Sequence, residues 1–196
     1  MIKGAAAAVI IGIVICVATT ALGDEPLKII ETRVDRIVKI LGDKSLEEDV
    51  KIKQLEKAAD ETFDYGYLSR MTLGRNWLKL DDSQRSQFIE LYRLLLEKNY
   101  MGQLLKYTDE KVVFDRQTML SEKKAAVDSN IVSSDKKIPI TYRLIRRDGD
   151  WKVYDLVIEG ISLVSNYRTQ FNDILSRQTP TEMLVILRKK VTDKSG

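Results

Sequence analysis

The chain has 196 residues, 44% of them hydrophobic and 31% charged, a globular composition with room for one domain of ordinary size. Net charge is +3, from 32 basic and 29 acidic residues, so nothing global speaks for nucleic acid as a partner. Histidine is absent and cysteine occurs once, which excludes histidine triads, histidine metal sites, zinc fingers and disulfide scaffolds.

Lys3 is followed by an uncharged stretch from Gly4 to Leu22 that includes Val9, Ile10, Ile11, Ile13, Val14, Ile15 and Val17. A short basic start and an apolar run read as a secretory signal, and Ala21-Leu22-Gly23 places small residues where a signal peptidase reads. The expectation is a signal peptide over 1–23, cleaved before Asp24, and a single domain over 24–196. An uncleaved anchor is the rival, because the stretch is near spanning length. Cys16 lies inside the apolar run and leaves with the signal; bulky Ile15 before it disfavours a lipoprotein site.

The remainder shows no internal repeat, low-complexity segment or linker, and breakers are sparse. A first helix is expected from Pro26 to Leu41, on the spacing of Leu27, Ile30, Val34, Ile37 and Leu41. A second starts near Ser45, where Ser45 and Glu48 have capping-box spacing, and carries Leu46, Val50, Leu55, Ala59 and Phe63 as its stripe. A short third covers Tyr65 to Leu73 and stops at Gly74, with Trp77 in a loop. The fourth runs from Ser83 to Leu105 with a wide apolar face.

Strands follow at Lys111–Gln117, Ala125–Val132, Ile138–Arg147 and Trp151–Glu159. With Asp148-Gly149-Asp150 as a three-residue turn, Ile140, Tyr142 and Leu144 face Ile158, Leu156 and Tyr154, and Arg143 faces Asp155. A helix from Ile161 to Ser176 comes next. The last helix opens with Thr179-Pro180-Thr181-Glu182, which combines an N-cap, a first-turn proline and a capping glutamate. Helices and strands are segregated along the chain, so the fold class is α+β.

Two stretches carry a family resemblance. One is Phe63-Asp64-Tyr65, Met71, Leu73-Gly74, Trp77, Arg85, Phe88, Leu95-Leu96 and Tyr100. The other is Gly149-Asp150-Trp151-Lys152-Val153-Tyr154-Asp155, Glu159-Gly160-Ile161-Ser162-Leu163, Asn166-Tyr167-Arg168 and Phe171. Together they resemble the MlaC family, also known as toluene-tolerance proteins, from about Asp24 to Val191. The resemblance implies a periplasmic phospholipid carrier of Gram-negative bacteria. Its implied partners are phospholipid, an inner-membrane ABC transporter with an MCE-domain subunit, and an outer-membrane lipoprotein–porin complex. The implied fold is a curved antiparallel sheet of about four strands, packed with helices around an apolar cavity and loosely NTF2-like. The expectation is a monomer with no catalytic residue, no metal and no cofactor, bound phospholipid being cargo. A hopanoid-associated branch of the family leaves the lipid's identity open.

An acyl chain of about sixteen carbons gains on the order of 12 kcal/mol on leaving water, at about 0.8 kcal/mol per methylene. A carrier therefore needs an apolar hollow with few unpaired polar groups, and no nucleophile or base. The candidate lining is Tyr142, Leu144, Tyr154, Leu156 and Ile158 from the sheet, facing Leu91, Leu95, Leu96, Val164, Tyr167 and Phe171 from helices. Taken singly, each reads more readily as plain core, and only the resemblance lifts the set.

Other signals have bland readings beside the functional ones. Arg143 with Asp155 reads as a sheet ion pair, and Glu159 with Arg168 as a brace for the turn before the helix. Asp60 and Asp64, four apart, read as a solvated face. Arg146-Arg147 and Arg188-Lys189-Lys190 suit anionic headgroups or plain solvation, and Trp77 a core plug or a partner anchor. The competing function is an NTF2-like enzyme with Asp155 and Tyr154 as its acid–base pair; an anchored scaffold is a third.

Overall fold

A computed structural model of the chain describes residues 25–107, 110–134 and 136–193. The expected signal segment, with Cys16 and the cleavage point before Asp24, lies outside them. Among the described residues no helix is long and apolar enough to cross a membrane.

Helix α1 spans Glu25–Gly42. Its start buries Ile30 and Val34 against the sheet, and its end buries Ile40 and Leu41 against α2, Glu48–Thr62. The N-terminal amide of Leu27 donates to Gln117 Oε1 at 2.8 Å, which supplies one of the partners a helix start lacks. The expected capping box of α2 does not form. Asp43 Oδ1 takes both the Ser45 amide (2.9 Å) and the Ser45 hydroxyl (2.6 Å), so the Asx turn wins the hydroxyl and the helix starts later. Phe63 is not part of the helical stripe. It is extended, with φ −96° and ψ 145°, and bridges Val153 in parallel.

Helix α3, Tyr65–Leu73, is capped by Asp64, whose carboxylate accepts from the Tyr67 amide at 2.8 Å. It stops at Gly74, where φ is +54°, and a 3-10 turn over Gly74–Lys79 takes the place of the expected loop. Trp77 sits in that turn beneath the Arg85 guanidinium, 5.6 Å from the ring centre. Helix α4, Asp82–Leu104, opens with an Asp81–Gln84 capping box. Helices α5, Leu163–Arg177, and α6, Pro180–Thr192, complete the set, and the Thr179–Glu182 box forms as the sequence predicts.

One open antiparallel sheet has the order β1-β2-β3-β4-β5. Its strands are β1 Lys111–Ser121, β2 Lys124–Val132, β3 Lys137–Arg147, β4 Asp150–Ile158 and β5 Ile161–Ser162. β1 runs past the expected Gln117, through bulges near Asp115 and Leu120, and its exposed Val113, Met119 and Leu120 break simple alternation. The two residues of β5, expected as helix, pair with Val157 and Ile158.

The β3–β4 register is half as expected. Ile140 faces Ile158, Tyr142 faces Leu156 and Arg143 faces Asp155. Beyond a bulge the register shifts, and Leu144 faces Val153 while Arg147 faces Asp150. The turn has two residues, Asp148 at φ 51° and Gly149 at φ 83°. Positive φ at both matches the right-handed strand twist, so a tight I′-type turn replaces the three-residue one. Tyr154 is the extra residue that reconciles the two halves.

The packing divides into two principal cores. A sheet core joins Ile30 and Val34 of α1 to Ala125, Val127, Ile140, Tyr142, Leu144, Trp151 and Val153. A helical core joins α3, α4, α5 and α6. Among the described residues, Phe63 and Leu156 pack against both.

Candidate functional site

The expected lining residues are split by the seam between these cores. Leu91, Leu95, Val164, Tyr167 and Phe171 lie in the helical core, with half-buried Leu96 packed against it. Tyr142 and Leu144 lie in the sheet core, with half-buried Ile158 against it. Leu156 touches both. Tyr167 and Phe171 stack within a ring cluster with Tyr92 and Phe88, at centroid separations of 5.1–6.1 Å. The Tyr167 hydroxyl accepts from Asn99 Nδ2 at 2.8 Å. Burial pushes the Tyr142 phenol up to about 12, so it stays neutral.

Tyr154 takes its own course from the bulge. Its ring meets Tyr67 edge-on at 5.3 Å, and the Lys124 ammonium lies 5.6 and 5.7 Å from the two ring centres. A hydrogen bond to the Tyr67 hydroxyl raises the Lys124 pKa, which keeps the cation charged.

Asp155 is 1% exposed and fully engaged. It pairs with Arg143 at 3.0 Å, takes the Ser162 hydroxyl at 2.7 Å and takes the Val164 amide at 3.0 Å. Ser162 in turn accepts from the Ser165 amide at 3.0 Å. The sequence-predicted ion pair therefore forms, and the same carboxylate anchors the start of α5 to β4. Asp155 and Tyr154 serve different neighbours, which separates the two groups that the enzyme reading needs together.

The remaining expectations resolve into structural roles. Arg168 does not brace the Glu159 turn; its guanidinium donates to the Met71 carbonyl at 2.5 and 3.2 Å and ties α5 to α3. Asp60 and Asp64 do not share a face. Asp64 caps α3 and pairs with Arg147 at 2.9 Å, whereas Asp60 lies 3.7 Å from Arg93.

An open cleft of about 1380 Å³ lies where the two hairpin turns fold toward α3 and α4. That exceeds the roughly 300–1,000 Å³ of ordinary small-molecule pockets. Its apolar surface comes from Tyr67, Trp77, Ile89, Met119, Ile145 and Trp151, and its rim carries Arg70, Lys123, Arg146 and Arg147 against Glu122 and Asp148. Both cores reach it, Trp151 from the sheet side and Trp77 from the helical side. None of the expected lining residues is on its walls. Sequence reasoning raised Trp77 and Arg146-Arg147 separately, and the fold brings them to one place. Tyr67, Arg70, Ile89 and Lys123 had no signal of their own, because distant segments assemble the cleft.

Comparison with known proteins adds the family context. The MlaC protein family profile matches residues 31–189. The chain is 26% identical over 117 residues to the intermembrane phospholipid transport system binding protein MlaC of Haemophilus influenzae, covering 57% of this chain and 55% of that one. It is 27% identical over 100 residues to toluene tolerance protein ttg2D of Pseudomonas putida, covering 50% and 46%. The matched segments thus span about half the length of these relatives. Among solved structures, a phospholipid-binding protein from Ralstonia solanacearum in complex with a phospholipid shares the fold, with TM-score 0.78 and 22% identity over 86% of this chain and 97% of that one.

Proposed function

The chain belongs to the MlaC family, and from that premise we propose that it is a periplasmic phospholipid carrier. It takes lipid between an outer-membrane lipoprotein–porin complex and an inner-membrane ABC transporter with an MCE-domain subunit. It works as a monomer, without catalysis, metal or cofactor, after removal of its signal segment. The relative named for intermembrane phospholipid transport and the phospholipid held by the structural neighbour support this reading.

The observation that carries it furthest is the seam between the two cores. Leu156 and Phe63 pack against both, with half-buried Leu96 and Tyr100 against the helical core and half-buried Ile158, Ile138 and Ile131 against the sheet core. An acyl chain drawn into this seam exchanges water for side-chain carbon along its length, which is the driving force a carrier needs. In this proposal Leu156, Ile158, Tyr142 and Leu96 touch the chains. Leu91, Leu95, Leu144, Val164, Tyr167 and Phe171 form the walls behind them, and Tyr154 supports the bulge.

Transfer of labelled phospholipid between donor and acceptor vesicles tests the function. The mature protein, lacking residues 1–23, is expected to accelerate transfer in proportion to its concentration. Transfer no faster than in protein-free buffer would contradict the carrier reading.

A further inference from the structure

We propose that the cleft at the hairpin end recognises the phosphate of the cargo lipid, with Arg70 and Lys123 as its grip. The inference rests on the carrier reading and adds a polar contact to it.

Arg70 projects from α3, and Lys123 from the β1–β2 turn; both are exposed on the cleft rim. Arg147 on the same rim already pairs with Asp64. Among the described residues, Arg70 and Lys123 enter no ion pair. Their charge is therefore available to a ligand. The Lys123 turn is not loose, because its carbonyl accepts the Arg146 amide at 2.9 Å. Basic side chains outnumber acidic ones around the opening.

The cleft's apolar lining, which Trp77 and Trp151 join to the two cores, suits the glycerol end of a lipid whose tails lie in the seam. Tyr67, Trp77 and Ile89 line the same cleft with apolar surface. Trp151 on the wall is 2% exposed and adds to the apolar lining. Guanidinium and ammonium groups on the rim of an apolar cleft match a phosphodiester joined to acyl chains. A neutral diacylglycerol offers only the second feature.

The test compares the delipidated wild-type protein with a double variant, Arg70→Gln with Lys123→Gln. A charge-matched control carries Arg188→Gln with Lys189→Gln on α6. Each is incubated with vesicles containing phosphatidylglycerol or diacylglycerol, and the lipid retained is measured by mass spectrometry. Two rim contacts predict about a tenfold loss of phosphatidylglycerol retention in the double variant only, with diacylglycerol retention unchanged. Wild-type retention of phosphatidylglycerol by the double variant, or an equal loss in the control, would overturn the assignment while leaving the carrier reading intact. Binding of inorganic phosphate to the lipid-free protein through Arg70 and Lys123, with phosphatidylglycerol retention independent of them, would assign the site to free phosphate and overturn the headgroup role. A wild-type protein that retains neither lipid would instead remove the carrier reading itself.

Discussion

Replacing Leu156 with arginine is expected to abolish lipid retention in a protein that still folds. Leu156 lies on β4 opposite Tyr142 and packs against both cores, yet remains half-buried. A guanidinium there removes apolar contact for a passing chain and brings a charge with no partner into the seam. Losing the leucine contact and seating an unpaired charge together cost about 3 kcal/mol or more, roughly a hundredfold in lipid affinity. Without lipid the arginine side chain can reach outward to water, so the fold itself has less to lose. Native mass spectrometry reads retention and circular dichroism reads folding. A folded variant that keeps its lipid would exclude Leu156 from the contact surface. Ile158→Lys, one strand position pair further on, provides a second reading of the same seam.

Asp155→Ala carries the largest expected loss of stability. The carboxylate is buried, and three donors converge on it from β3, the β5 end and the first turn of α5. Arg143 contributes little, because its side chain is 44% exposed and can rehydrate. What remains is a pair of charge-assisted bonds and a helix start left without its anchor, about 3 kcal/mol in total. Asp155→Asn keeps one acceptor and loses about half as much. Urea denaturation is the measurement, with a fall in midpoint at constant slope as the expected result. A change below about 1 kcal/mol would put Asp155 in the range of an ordinary surface pair and remove its anchoring role.

These two residues also mark how far the sequence could be read. Arg143 and Asp155 were recognisable as partners because opposite charges on paired strands constrain the register. The Thr179–Glu182 box was recognisable because its side chains and the backbone groups they cap are local. Helices α1 and α4 followed from apolar spacing, and the end of α3 from Gly74. The bulge at Tyr154 was hidden because both possible partners of Leu144, Val153 and Tyr154, suit a buried strand. Asp43 capturing Ser45 was hidden because two short-range hydrogen-bond patterns competed for one hydroxyl. A helical stripe reveals an apolar face but not which of two cores receives it, so the seam was beyond reach from periodicity alone. The cleft was further still, since its walls come from α3, α4 and both hairpins, and no local pattern links them.

In the proposed carrier, hydrocarbon tails occupy the space between the sheet core and the helical core. Native mass spectrometry of the protein, gently purified from the periplasm of a Gram-negative host, tests it most directly. The expected mass exceeds that of the chain by one or more whole phospholipids, which leave on organic extraction and are absent from the Leu156→Arg variant. A protein that flies at its bare chain mass, before any extraction and after incubation with phospholipid vesicles, would contradict it.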